Sequence, residues 1–523
     1  MRALRHNLPG AGSIAAACGA VLLCSCTGLK SVERSQVPPE TLRHWTVQEA
    51  RDAQKESPFL KAHMRNGDLF VLGDWWIAGT SSVSGTGTQY DVHRQQLQTG
   101  ELHVPIDSVA VFETNVLVTS RAGVALTFMV GVTAAVAIIC ALNPKTCFGS
   151  CPTFYVWDPD RPAAEGFSAS IAPSLEDTDV DALAASRSGG SLEIVMKNEA
   201  LETHVIRFVN VLAAPHRGGV RVFADLDGTF WECASASPPV AATGPEGDIL
   251  PLVRDVDHVE RVSLADSSYL AARETLRFTF DNPPPAGDCG IVIGCRQSLL
   301  STYVLYQTFA YMGTQAGHWI AEIERGRLGD AGLELVNLLG GIEVRVEERP
   351  GEWTTVGEID EFGPIAIDRH LVRFAAPAEW TGRVELEMTK GGWRIADVSL
   401  ATLSRRVEPL RLAPVDVARD GASDPAARAA LLDPARSLTT LPGDAYTLLY
   451  SLPDDGREYE LFIESRGYYL EWVREEWMRE ESATHLAELF FDPRAALTRL
   501  APEYKRVEPN MERAFWSSRY AKP

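Results

Sequence analysis

From residue 65 onward the chain is dominated by short runs in which apolar and polar residues alternate, the signature of half-buried β-strands. Residues 68–72, 75–78, 89–93 and 102–106 are such runs, with a Ser/Thr/Gly stretch over 79–87 between them. Their spacing predicts a small barrel or meander. Residues 153–157, 191–197, 204–209 and 220–223 predict further strands, and the Pro/Ala/Gly-rich 234–251 predicts a loop. Runs 342–347 and 353–356 flank Arg349-Pro350-Gly351, and runs 384–388 and 393–395 flank Lys390-Gly391-Gly392, so both read as hairpins. Residues 447–451 and 459–463 read as another strand pair. Apolar spacing near 3.6 predicts helix over 40–61, 297–312 and 319–339, and from Tyr468 to near the end, interrupted by Pro493, Pro502 and Pro509. On that last helix Tyr469, Trp472, Val473 and Trp477 share one face, which packing against the β body explains. Phe515-Trp516 and Arg519-Tyr520 dock the chain end in the same way.

Strands and helices are segregated rather than alternating, which predicts an α+β fold, multi-domain and mostly antiparallel. The expected units are 1–25, a leader; 26–64, a tether and helix; 65–120, a small β unit; and 121–145, an apolar helix. They continue with 146–290, a β-rich body; 291–340, helical; 341–411, a β-hairpin domain; 412–467, a connector and strands; and 468–523, C-terminal helices. A chain of 523 residues is too long for one core.

Two apolar segments bear on location. Residues 123–142 carry no charge, between Arg121 and Asn143-Pro144-Lys145. That length suits a membrane span, a helix lying against the membrane, and a buried soluble helix alike. The other segment, 8–23, follows the basic start Met1-Arg2-Ala3-Leu4-Arg5 and ends in Leu23-Cys24-Ser25-Cys26. Basic-then-apolar order is that of a secretory signal, and Leu23-Cys24-Ser25-Cys26 resembles the lipobox of bacterial lipoproteins. That resemblance implies cleavage before Cys26 and lipidation of its sulfur. Several acyl chains give durable attachment, at about 0.8 kcal/mol per buried methylene. Thr27, where the sorting signal of two-membrane bacteria would place Asp, implies the outer membrane. The runs Cys147-Phe-Gly-Ser-Cys151-Pro-Thr-Phe-Tyr155, Gly467-Tyr-Tyr-Leu-Glu-Trp472 and Phe515-Trp-Ser-Ser-Arg-Tyr520 resemble features of uncharacterised bacterial envelope lipoproteins, a likeness that implies no activity.

A net charge of −21 argues against a nucleic-acid partner, because phosphate contact needs a basic surface. Of nine cysteines, Cys18 and Cys24 leave with the signal and Cys26 takes the lipid. Among the six that remain, Cys147/Cys151 and Cys289/Cys295 are close pairs. In an exported protein such pairs read as local disulfides, with free buried cysteines as the alternative. Neither has the Cys-x-x-Cys spacing or adjacent histidines of a zinc site.

One motif carries candidate chemistry. The apolar run 220–224 followed by Asp225-Leu226-Asp227-Gly228-Thr229 resembles motif one of the haloacid-dehalogenase-like phosphohydrolases. The resemblance implies Asp225 as phosphoryl-accepting nucleophile, Asp227 as general acid/base and a magnesium ion between them. A β-hairpin turn explains Asp227-Gly228 equally. Asp255-Val-Asp257-His258-Val-Glu260 gathers carboxylates and a histidine, as a cation site or a solvated acidic turn, without the Gly and final Glu of a calcium loop. Ser84-Gly-Thr-Gly-Thr88 lacks a phosphate-loop lysine and reads as a turn, and the sequence holds no His-Glu-x-x-His or Gly-x-Ser-x-Gly. The expectation is a lipid-anchored envelope protein acting as a non-catalytic binding or assembly module. It implies no cofactor, and its membrane partner is reached through the N-terminal lipid, with 123–142 as a second candidate contact. The alternative is a magnesium-dependent phosphohydrolase using Asp225 and Asp227.

Overall fold

The computed structural model describes residues 29–37, 42–45, 59–64, 68–79, 81–90, 96–120, 152–166, 176–200, 202–281, 287–312, 333–360, 363–377, 380–471, 480–517 and 519. Strand outweighs helix, 52% against 19%, so antiparallel sheets set the architecture and the helices are additions to them, as the α+β reading expects.

Five sheets form. The N-terminal one has six antiparallel strands in the order Leu29–Val37, Val109–Ser120, Phe59–Met64, Leu69–Ala78, Ser82–Tyr90, Gln96–Pro105. Its core centres on fully buried Trp75, with Leu72, Val83, Val104 and Phe112 around it. Two of the expected runs are one strand here. Leu69–Ala78 continues through an irregularity between Gly73 and Trp76, where Asp74 takes φ 43°. The predicted tether and helix over 26–64 give way to strands Leu29–Val37 and Phe59–Met64 at its two ends. Partner strands supply backbone bonds to 59–61 that a local reading could not anticipate.

The remaining four sheets make two sandwiches. In the first, Leu410–Leu412, Glu202–His216, Glu458–Glu471 and Asp177–Arg187 lie side by side, with Leu438–Thr440 also on Glu202–His216. They face Ala422–Ser423, Asp416–Arg419, Ala445–Ser451, Ser191–Lys197 and Thr153–Tyr155. Ile194, Met196, Val211, Leu448 and Ile463 meet between them. In the second, Arg221–Ala224, Phe230–Ser237, Trp393–Val407, Asp288–Gln297 and Asp368–Ala375 form one sheet. The other runs Gly247–Asp248, Ala241–Gly244, Arg273–Thr279, Arg383–Thr389, Ile342–Arg349, Glu352–Ile359. Ile291, Ile293, Val344, Leu386 and Trp393 share its core. The second sandwich, 221–407, is thus inserted between the two halves of the first, 153–216 and 410–471. Leu212, Phe230, Val407 and Phe462 join the two.

Three expected turns are corrected by this arrangement. The Lys390-Gly391-Gly392 turn does not close a hairpin: Arg383–Thr389 and Trp393–Val407 belong to facing sheets. Gly391 makes the crossing, at φ 77°, where a Cβ would collide with Ala265. Ala445–Ser451 and Glu458–Glu471 are likewise split between facing sheets. The expected loop 234–251 contains a small hairpin, Ala241–Gly244 with Gly247–Asp248.

Helices Leu300–Met312 and Pro493–Ser517 pack against the first sandwich. The latter buries Ala496, Leu497, Leu500, Ala501 and Tyr504, a stripe one turn apart, and Tyr303 meets Tyr504 at 5.0 Å. It runs unbroken through Pro502 and Pro509, although each removes a backbone donor at a cost of about 3 kcal/mol. The helix expected from Tyr468 is a correction. Tyr468–Glu471 end the strand Glu458–Glu471, with Tyr468 and Tyr469 both fully buried. Trp472, Val473 and Trp477 lie outside the described residues, as do the signal with Cys26, the run 123–142, and Cys147 and Cys151. Among the described residues no helix is long and apolar enough to cross a membrane.

Candidate binding cleft

A cleft of about 500 Å³ opens where the two sandwiches and the C-terminal helix meet. Its near rim is a turn following Thr153–Tyr155. Phe154 N donates to Ala164 O at 3.2 Å and Ala163 N to Phe154 O at 3.0 Å, Arg161 N–H reaches Asp158 O at 3.3 Å, and the Asp158 side chain accepts from Asp160 N at 2.9 Å. That closure puts Trp157, Asp158, Asp160 and Arg161 on the cleft wall. Trp157 is 42% exposed, and Arg187 stacks on its ring at 4.1 Å. Buried Glu165 fastens the turn to the other sandwich, accepting from Ile365 N at 2.7 Å.

The far wall comes from the end of helix Pro493–Ser517. Glu512 and Trp516 are one turn apart, and Trp516 Nε1 donates to Glu512 Oε1 at 3.0 Å. Arg519 lies 5.0 Å from the Trp516 ring centre and donates to the Tyr155 hydroxyl at 3.0 Å. Burial, with Glu199 beside it, raises the Tyr155 phenol, so it stays protonated and donates to Glu199 at 2.6 Å. The expected docking of the chain end around Trp516 and Arg519 is found here.

The floor is a ring of four charges. Arg296, only 8% exposed, holds Glu260 through two bonds of 2.6 and 2.8 Å and Glu512 at 2.9 Å. Arg394 bridges the same carboxylates, 3.4 Å from Glu260 and 2.9 Å from Glu512. Burial alone would raise Glu512, but Arg296, Trp516 and Arg394 together hold it below the usual carboxylate range. Beside the ring, Arg369 pairs with Asp397 at 2.7 Å. A carboxyl that is to donate a proton needs its pKa raised by an apolar site or a neighbouring anion. Glu512 is held the other way. The floor presents fixed hydrogen-bonding groups of both signs with their charges matched.

Two of the four non-glycine residues with positive φ among the described residues line this cleft: Ala184 at 51° and His258 at 65°. Ala184 sits in a bulge on the edge strand, where the register passes from Ala182↔Phe462 to Ser186↔Glu460. Bulges re-aim side chains and concentrate at sites, and strained backbone does the same. The Asp255–Glu260 cluster does not converge on one point. Asp257 accepts from Val259 N at 2.9 Å, while Glu260 faces arginines. Among the described residues no group of three His, Cys, Asp or Glu is placed to hold a metal ion.

The Asp225 motif is a hairpin turn. Arg221–Ala224 pairs antiparallel with Phe230–Ser237, and no helix follows. Asp225 Oδ1 accepts from Asp227 N at 3.1 Å and Thr229 N at 2.8 Å. Its Oδ2 accepts from Trp231 Nε1 at 2.8 Å and Arg373 Nη1 at 3.2 Å. Arg373 also stacks on Trp231 at 4.0 Å. Four donors occupy the carboxylate, and Asp227 is exposed to solvent. The strand–loop–helix that a phosphoaspartyl site needs is not built at this position.

The Cys289/Cys295 staple is also corrected. Both lie on the strand Asp288–Gln297, buried and free, as is Cys233. Six residues of extended chain span roughly 20 Å, far beyond the ~7 Å Cα separation a disulfide tolerates. Burial pushes the Cys233 and Cys289 thiols up to about 12. The run Cys289-Gly-Ile-Val-Ile-Gly-Cys295, apolar throughout, is the signal of a doubly buried strand. The cleft itself was missed, because its walls are about 200 and 350 residues apart in sequence and meet only through the fold.

The chain matches no family model and no curated protein. Among solved structures it is similar to allantoicase, at 10% identity over 51% of this chain and 97% of that one, with a TM-score of 0.19. It is similar to BuGH86wt in complex with neoagarooctaose, at 10% identity over 44% and 35%, TM-score 0.15. A third is arabinofuranosyltransferase AftD from Mycobacteria, at 10% identity over 84% and 35%, TM-score 0.17. At these scores none carries an argument about fold or activity.

Proposed function

We propose that this chain is a lipid-anchored protein of the bacterial envelope, attached through Cys26 and favouring the outer membrane. Its body is a binding module rather than a catalyst, and the cleft between the sandwiches is its recognition site. The observation that carries the reading is the floor ring Glu260–Arg296–Glu512–Arg394, in which guanidinium groups fix both carboxylates in place and hold Glu512 below the usual carboxylate range, an arrangement suited to fixed contact. Trp157 and Trp516 on opposite elements add apolar walls to a polar floor, the composition of a ligand site. The anchor reading rests on Leu23-Cys24-Ser25-Cys26 alone.

Two measurements test it. Cells expressing the protein are labelled with radioactive palmitate and fractionated. Label in the wild type and none in Cys26→Ala is expected; unlabelled wild type in the cytosol overturns the anchor. Purified protein is then added to protein-free and native envelope preparations of the source cells. Binding to at least one of them that falls in Trp157→Ala and in Trp516→Ala is expected. Binding unchanged in both variants overturns the cleft as recognition site.

A further inference from the structure

We infer that the cleft takes a neutral oligosaccharide; this rests on the reading of the cleft as recognition site and names its ligand class. The first observation is the pair of tryptophans. Trp157 carries Arg187 on its ring and still leaves 42% of its surface to solvent at the rim. Trp516 is fixed on the opposite element by its bond to Glu512 and by Arg519. Both rings are held before any ligand arrives, which lowers the ordering cost of stacking. A sugar ring offers the flat patch of C–H groups that such a surface accepts, with hydroxyls around its edge.

The second observation is what lies between the rings. Asp160 and Arg161 stand on the rim turn with no ion-pair partner among the described residues. Both are planar groups that bond two neighbouring hydroxyls at once. The floor then decides the charge of the ligand. Arg296 and Arg369 are already neutralised by Glu260, Glu512 and Asp397. A phosphate or carboxylate entering there would have to compete with those carboxylates, within a chain of net charge −21. Neutral hydroxyls meet both donors and acceptors at no such cost. The volume of about 500 Å³ suits a short run of sugar rings.

The test is calorimetric titration and tryptophan fluorescence of the detergent-solubilised full-length protein. Probes are N-acetylglucosamine hexamer, cellohexaose, inorganic phosphate and poly-glutamate. At least one neutral hexamer binds, its affinity falls about tenfold or more in Trp157→Ala, and Trp157→Phe restores most of it. Unchanged thermal unfolding of Trp157→Ala shows that the fold is intact. Absence of binding by both hexamers, or hexamer binding indifferent to Trp157→Ala, overturns the inference. Binding of phosphate or poly-glutamate instead, still sensitive to Trp157→Ala, overturns the saccharide while leaving the cleft as recognition site.

Discussion

Replacing Asp225 by Asn separates a structural aspartate from a catalytic one. The substitution preserves shape, and the amide oxygen can still accept from Asp227 N and Thr229 N, which fixes the turn. The amide nitrogen then faces Trp231 Nε1–H and an Arg373 N–H, donor against donor. Two bonds to an ionised carboxylate, each worth at least roughly 1.5 kcal/mol, are lost together. Arg373 is about a third exposed, so solvent screens part of the second loss. The expected destabilisation is about 2–3 kcal/mol, read as a shift in the urea unfolding midpoint followed by tryptophan fluorescence. Asp227→Asn, on the exposed side of the turn, moves the midpoint by less than about 0.5 kcal/mol. Magnesium and p-nitrophenyl phosphate are supplied in parallel, and no turnover is expected. A wild-type phosphatase activity that Asp225→Asn abolishes while the unfolding midpoint stays fixed would refute the assignment of Asp225 to the turn.

Arg261 makes two bonds each to Glu246 and Glu274 and is almost fully buried, as is Glu274. Arg261→Met, which strands a buried carboxylate, is expected to destabilise by about 3–5 kcal/mol, and Arg261→Met/Glu274→Met to recover most of that; equal losses in the two proteins would contradict the pairing. Folded-state pKa values lie below the unfolded ones for Glu232 beside Arg405, Glu246 beside Arg261, and fully buried His204, the last at about 3. Their stabilisation is therefore complete above the unfolded values and fades as pH falls, beginning near pH 6.5 with His204 and steepening below about 4.3 with the carboxylates; a flat urea midpoint from pH 7 to 3 would count against it. Cys233 and Cys289, raised to about 12, contribute stability below about pH 8.5 that is lost as pH climbs toward 12. Both thiols and Cys295 are expected to resist a thiol reagent until urea is added, and a Cys289–Cys295 cross-link in non-reduced peptide maps would refute the strand placement.

Single strands were legible in the sequence, and their partners were not. Residues 191–197 alternate polar and apolar, and the strand Ser191–Lys197 buries alternate side chains as that pattern demands. The 342–347 and 353–356 runs pair across Pro350-Gly351 as a hairpin. The runs around Gly391 alternate just as clearly, yet their strands lie in facing sheets. Alternation reports that one side of a strand is buried; it carries no information on whether the chain turns back beside itself or crosses the core. Tyr468 to Glu471 failed for a related reason. Tyr468 and Tyr469, adjacent and both buried, put aromatic side chains on both faces of the strand, and such a pair mimics a helix segment.

The same property hides the cleft. Its walls come from the turn at 156–164, the edge strand Asp177–Arg187, the segment around His258–Glu260 and the last turn of Pro493–Ser517. These stand together only because one sandwich is inserted into the other and the terminal helix lies across the join. Each contact at the join spans a long stretch of sequence: Glu165 to Ile365, Asp368 to Ala182 N at 2.9 Å, and Arg296 to Glu512. The cleft therefore exists only when both sandwiches are folded and joined. Loosening the floor, as Arg296→Met would, leaves Glu260 and Glu512 sharing Arg394, with one cation against two carboxylates at the seam where Trp516 is held. Trp516 should then lose its bond to Glu512 and its fixed orientation while both cores persist. A variant of this kind that kept its melting transition and its cleft fluorescence unchanged would mean that the ring does not hold the seam.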